Sequence, residues 1–148
     1  MTIELAQAHM QELQKRVHSH CVVCGRANGK GMHLDFRLQQ DDSVQAIFDC
    51  PRDYQGYPDY LHGGVLAAML DGAMTHWLFA RKKSAVTAEL NIRYRHPVST
   101  DQPAIVRATL EQSHGPLHLL RAEIIQVGKV KVTANGKFYE QPTLDHAK

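Results

Sequence analysis

Two hydrophobic periods run along this chain. Residues 87–95 alternate, with Ala88, Leu90, Ile92 and Tyr94 on one face and Thr87, Glu89, Asn91, Arg93 and Arg95 on the other. That is the pattern of a half-buried strand. Similar alternation marks Leu34, Phe36, Leu38; Val44, Ala46, Phe48; Ala104, Val106, Ala108, Leu110; and Val130, Val132, Ala134, Phe138, while residues 117–127 form a further apolar strand. Turn signals separate them: Asp41-Asp42, residues 99–103, His114-Gly115-Pro116 and Gly128. The last three connections read as antiparallel meander turns. Between the second and third strands the period changes. Residues 64–80 are apolar almost all round, through Val65, Leu66, Met69, Leu70, Met74, Trp77, Leu78 and Phe79, which predicts a buried helix. A short amphipathic helix over about residues 2–16 precedes the strands. About six strands with one long buried helix inserted after the second make an α+β domain, the helix packed on one sheet face.

The long helix carries one carboxylate, Asp71, with no cationic neighbour close in sequence. Down the axis it shares a stripe with Gly64, Ala67, Ala68 and Thr75, small residues that leave room for a ligand. An apolar setting disfavours the charged carboxylate and raises its pKa toward values useful to a base at neutral pH. The alternative is a structural carboxylate that caps a loop or pairs with an arginine from elsewhere in the fold. His62-Gly63-Gly64 leads into the helix. Backbone N–H groups of its first turn, unshielded at Gly63 and Gly64, can approach an oxygen closely, and the helix dipole adds positive potential there. Such a terminus either stabilises a carbonyl oxygen that gains charge during attack or simply starts a helix. Gly63 and Asp71 are eight residues apart, roughly 12 Å along one helix, too far to serve one carbonyl. A site using both therefore draws them from two copies of the chain, so the active unit is expected to be at least a dimer with two equivalent sites.

Composition narrows the classes. At 148 residues and 43% hydrophobic content the chain makes one globular domain without linker, repeat or low-complexity tract. No apolar run reaches the ~18 residues of a membrane span, because Asp71 and His76 interrupt the longest. No signal-peptide core is present, so a cytoplasmic location is expected. A net charge of +2 and few aromatics leave no nucleic-acid footprint. Cys21 and Cys24 form a CxxC with His18 and His20 just upstream, but four ligands within seven residues lack the second half of a zinc site. A tight turn docked on the sheet is expected there, and no metal. The odd thiol count, with Cys50 alone, argues against a disulfide framework. His76, His114 and His118 have no partner at a metal spacing and read as surface or packing histidines. Without a GxSxG elbow, Ser84 and Ser113 give no sign of a serine nucleophile.

The run YQGYPDYLHGGVLAAMLDGAM, followed by TAELNIRYRHPV, resembles the hotdog-fold acyl-CoA thioesterases of the phenylacetyl-CoA thioesterase group, and CVVCGRANGKGMHLDF extends the similarity toward the N-terminus. The resemblance covers residues 21–138. It implies an antiparallel sheet wrapped around a long helix, a homodimer or homotetramer, and hydrolysis of a thioester of coenzyme A without a cofactor. By this likeness Asp71 is general base or nucleophile and the Gly63 N–H polarises the thioester oxygen, with Gly64 beside it. Gln55 matches an amide that places the attacking water or the thioester, His62 orients the loop or the leaving sulfur, and Thr87 fits a hydroxyl that holds the water or the base. Coenzyme A also brings phosphates, for which Arg81, Lys82, Lys83, Arg93 and Arg95 are the nearest basic side chains; a solvated face would look the same. The acyl or aryl group is left open. Two rivals are a non-catalytic acyl-CoA-binding or sensor protein, disfavoured by retention of both Asp71 and the HGG, and a dehydratase or hydratase acting on the acyl chain, whose histidine and acid would be spaced differently.

Overall fold

A computed structural model describes residues 1–146. The elements are α1 (Ile3–Val17), β1 (Arg37–Leu38), β2 (Val44–Phe48), a 3₁₀ turn at Arg52–Tyr54, α2 (Gly63–Phe79), β3 (Ala85–Tyr94), β4 (Ala104–His114), β5 (Leu117–Gln126), β6 (Lys129–Glu140) and a second 3₁₀ turn at Pro142–His146. The six strands form one antiparallel sheet in the order β1-β2-β4-β5-β6-β3. On one face lies α2, in contact with β2, β3, β4, β5 and β6. This is the expected hotdog arrangement.

The middle of α2 supplies the core. Met69, Leu70, Met74 and Leu78 are sealed against Val106, Leu120, Ile124, Val132 and Phe138 on the sheet, each of these nine at most 1% exposed. Each large side chain so buried contributes about 1.5–3 kcal/mol. The helix starts at a cap, His62, whose Nδ1 accepts from the Gly64 N–H at 2.8 Å. At the other end Lys82 takes a left-handed backbone (φ 60°), the Lys82 N–H reaches Phe79 O and the Lys83 N–H reaches Leu78 O. That pairing satisfies the last carbonyls and stops the helix. In α1, Thr2 caps through Oγ1, and Met10 and Leu13 pack inward.

Three details differ from the sequence expectation. The alternation of Leu34, Phe36 and Leu38 is real in burial, yet only Arg37–Leu38 is laddered; upstream, the Met32 and Leu34 N–H groups bond to Val22 O and Val23 O of the cysteine turn instead. Residues 99–103 are not a meander turn. Strand β3 pairs with β6 and β4 with β2 and β5, so the connection crosses the end of the sheet, held by the buried Gln126 amide, which bonds to Ser99 N and O and to Gln102 O. The turns at Gly115 and Gly128 do join a β4-β5-β6 meander, both glycines having positive φ. Third, β3 is bulged between Thr87 and Glu89. Cross-strand partners share a face, and Thr87 opposes the buried Phe138 just as Leu90, Ile92 and Tyr94 oppose Gly136, Ala134 and Val132. The bulge absorbs Ala88 and turns Thr87 to the helix side of the sheet, the opposite of what strict alternation predicts.

Candidate active site

That one-residue slip builds the site. Thr87 Oγ1 donates to Asp71 Oδ1 at 2.5 Å, so the middle of α2 and the start of the edge strand meet at a carboxylate. Burial raises the Asp71 pKa above its ordinary value, and the Thr87 hydrogen bond opposes it by favouring the anion. Smaller influences come from Cys21, which raises it, and His18, which lowers it. No arginine bonds to Asp71 among the described residues, so the structural ion-pair alternative finds no partner here.

The open face of α2 runs from Gly63 to Asp71. Gly63, Gly64, Val65, Ala67, Ala68 and Asp71 retain exposure, whereas Gly72 through Phe79 are all buried. The side chains Met69, Met74, Trp77 and Phe79 therefore belong to the core and do not line this face. At the N-terminal end the Gly64 N–H is taken by His62, and Val65 and Leu66 both donate to His62 O. Among the described residues no acceptor meets the Gly63 N–H. Of the two glycines, Gly63 is thus the free donor and Gly64 serves the cap.

His62 orients this terminus by capping it and by donating its own N–H to Tyr54 O. The Gln55 amide lies in the preceding loop, exposed, its Oε1 accepting from the Asp59 N–H at 3.3 Å. Gly56, Tyr57, Tyr60, Leu61, His62 and Gly63 line a shallow pocket, so Gln55, His62 and Gly63 sit together at one end of α2. Asp71 and Thr87 sit together at mid-helix, eight residues and roughly 12 Å farther along. Tyr94 was not anticipated: its hydroxyl donates to Gly63 O at 2.8 Å, and its ring lies 3.6 Å from where a Gly63 side chain would begin. It braces the donor loop from β3. A partly exposed tyrosine closing an otherwise apolar stripe was the available signal.

The basic residues scatter. Arg81 is engaged by Asp42 and stacks over Trp77 at 4.4 Å; Lys82 forms the helix stop, and Lys83 reaches Glu140 at 3.5 Å. Arg93 lies on the sheet face away from α2, in register with Thr133, and together with Arg95, Arg107 and Arg121 borders a polar groove there. None of the five meets Asp71 of the same chain.

The histidines differ in role. His76 is buried on α2, stacks on Phe36 at 4.2 Å, bonds Gly72 O through Nδ1 at 2.8 Å and is lowered by burial to a pKa of about 4. His118 is buried between Ser113 Oγ (2.7 Å) and Glu140 Oε2 (3.0 Å), tying β4, β5 and β6. His114 remains exposed. At the end of α1, His18, Cys21 and Cys24 converge, while His20 turns to Ser19.

A sheet wrapped on a long helix, with a glycine-rich cap at one end of the helix's open face and a partly buried acid at the other, defines the hotdog class. A family model for the thioesterase superfamily matches residues 59–133, half of the chain, and the chain belongs to that superfamily. It is 26% identical over 98 residues to the human acyl-coenzyme A thioesterase THEM5, an alignment covering 66% of this chain and 38% of that protein. The crystal structure of RHA08564, a thioesterase superfamily protein, superposes with a TM-score of 0.77 at 28% identity, covering 81% of this chain and 63% of the other. The Escherichia coli PaaI protein from the phenylacetic acid degradation operon shares the fold at TM-score 0.74 and 15% identity, over 90% and 96% of the two chains. The chain spans about two-fifths of the length of THEM5. Among the described residues, no helix is long and apolar enough to cross a membrane.

Proposed function

We propose that this protein is an acyl-CoA thioesterase in which Asp71 activates water and the Gly63 N–H polarises the thioester carbonyl. The observation that carries the reading is the Asp71–Thr87 pair: a carboxylate half-removed from water, held at 2.5 Å by a hydroxyl, on the open face of α2. Water attacks the carbonyl carbon and gives a proton to Asp71. The C–S bond then breaks, and the coenzyme A thiolate leaves and takes up a proton, releasing free acid. Asp71 acting directly as nucleophile is the variant of this route, with water consumed in the second step. THEM5 supports the substrate class by its described activity on acyl-coenzyme A.

The separation of Gly63 from Asp71 calls for two copies per site. Strand β3 supports such pairing. It ends the sheet order with a ten-residue edge, Ala85–Tyr94, whose outer side pairs with no strand among the described residues, a template for another strand, and it flanks the open face of α2. We infer a homodimer, alone or within a homotetramer, with Gly63 of one protomer facing Asp71 of the other, and place it in the cytoplasm. A thiol-release assay on a panel of acyl-CoA and aryl-CoA thioesters, run beside Asp71→Asn, tests the reading. Cleavage lost in the variant is expected. Binding without cleavage by the wild-type protein would replace the enzyme with a sensor.

A further inference from the structure

The cluster at the end of α1 makes no hydrogen bond to Asp71 among the described residues, and its donor atoms are arranged for a soft cation. One nitrogen of His18 and the sulfurs of Cys21 and Cys24 all lie within 4.8 Å of one another, with Cys24 Sγ 3.6 Å from His18 Nδ1. Tetrahedral zinc, with Zn–S about 2.3 Å and Zn–N about 2.0–2.1 Å, sets an N···S separation of about 3.6 Å. All three cysteines are free thiols.

Backbone hydrogen bonds hold this arrangement. The Cys21 N–H bonds to His18 O at 3.1 Å and the Gly25 N–H to Cys21 O at 2.8 Å, winding Cys21-Val22-Val23-Cys24-Gly25 into one tight turn. Inside it the Val23 N–H points at Cys21 Sγ, 3.3 Å away, as a donor that favours thiolate. Only glycine fits at position 25, since a Cβ there would stand 2.3 Å from Cys21 N and 2.5 Å from Ser19 O. The Gln14 amide donates to Cys24 O at 3.0 Å and His18 O at 3.4 Å, tying both ends of the triad to α1. Phe79 meets the His18 ring edge-on at 5.0 Å. A pocket bordered by Arg16, Val17, His18, Ser19, His20 and Cys21 opens beside the cluster, giving an entry path.

We propose that His18 Nδ1, Cys21 Sγ and Cys24 Sγ form a three-ligand site for Zn²⁺, the fourth position going to a solvent molecule. The expected tight turn is present but packs on α2 at Gly72 and Phe79 rather than on the sheet, and His20, the fourth sequence candidate, is not needed. Both sulfurs bind as thiolates, so any proton still on them is released on binding, and the two thiolate charges cancel that of the ion. The ion would pin the end of α1 to the buried half of α2 through His18 and Phe79.

The test uses the full chain, reduced, stripped with a chelator and titrated with zinc against a chromophoric competitor, then separately with cobalt. One zinc per chain is expected, with proton release on binding and a thiolate-to-cobalt charge-transfer absorption. Cys21→Ser or Cys24→Ser should weaken zinc by about 10²-fold or more and remove the cobalt band, while Cys50→Ser, whose thiol lies outside the triad, changes neither. Absence of stoichiometric zinc, a cobalt complex without the thiolate band, or oxidation to a Cys21–Cys24 disulfide that binds no zinc after reduction would each overturn the proposal. The wild-type cobalt spectrum decides even where a serine variant folds poorly.

Discussion

The two halves of α2 are equally apolar in composition but have different fates. From Gly72 to Phe79 every residue is buried; from Gly63 to Asp71 one face stays open. What seals the second half is the segment after α1: a Cβ on Gly72 would come within 2.8 Å of Val23 and 3.3 Å of Phe36, and His76 lies between His18 and Phe36. In the first half, where the cap and the acid are, Gly63, Gly64, Val65, Ala67, Ala68 and Asp71 keep exposure, with Tyr94 and Thr87 of β3 at its two ends. Hydrophobicity alone thus places a helix inside a domain, while the pieces packed on it decide which stretch remains for chemistry. Asp71 falls on the boundary, dry enough for a raised pKa and open enough to meet a water.

The sharpest way to break this contrast is Asp71→Asn. Turnover should fall by about 10²–10⁴-fold, the range of a positioned general base, in a thiol-release assay. Because folding raises the Asp71 pKa, the carboxylate weakens the fold progressively as pH rises from its unfolded pKa through its folded one. The asparagine variant should therefore melt higher than wild type at neutral pH and lose that advantage below the carboxylate range. Retained turnover, or a lower melting point at pH 7, would place the acid in a structural role.

Gly25→Ala attacks the sealed half. The added methyl meets backbone that cannot yield, so a loss at the upper end of about 1–3 kcal/mol is expected by chemical denaturation. Thr87→Val keeps the strand shape and removes the hydroxyl from Asp71. A hydrogen bond to a charged group is worth about 1.5–3 kcal/mol, and its loss should move the acid limb of the pH–rate profile upward, since the anion is no longer favoured. An unshifted limb would separate Thr87 from the titrating group. The smallest effect belongs to Tyr94→Phe at the other end of the open face. Losing one neutral hydrogen bond to Gly63 O costs about 0.5–1.5 kcal/mol, read as a several-fold drop in kcat/KM with the pH profile unchanged.

Residues with a local periodicity were readable in advance. The helix, most of the strands, the Gly115 and Gly128 turns and the acid at Asp71 follow from spacing and residue type alone. Thr87 was identified by family likeness while alternation assigned it to the wrong face, because no glycine or proline marks the bulge at Ala88. Lys82, expected among the phosphate-binding side chains, also has the left-handed backbone that stops the helix, a role usually given to glycine. Tyr94 and Gln126 act across long separations, on Gly63 and on the Ser99–Gln102 crossing, and no local pattern encodes such pairings. The convergence of His18 with Cys21 and Cys24 depends on a turn whose tightness shows only in the collision a Cβ at Gly25 would suffer.

The strand order has a consequence for how the molecule assembles. Strands β4, β5 and β6 are joined by tight turns and can zip up locally, but β3 must find β6 across the whole length of that meander. Distant pairings carry the larger closure entropy and tend to form late. The bulge that aims Thr87 exists only within the β3–β6 ladder, so the Asp71–Thr87 pair is completed by a long-range pairing. A chain released partly folded would hold an intact meander with an unfinished site.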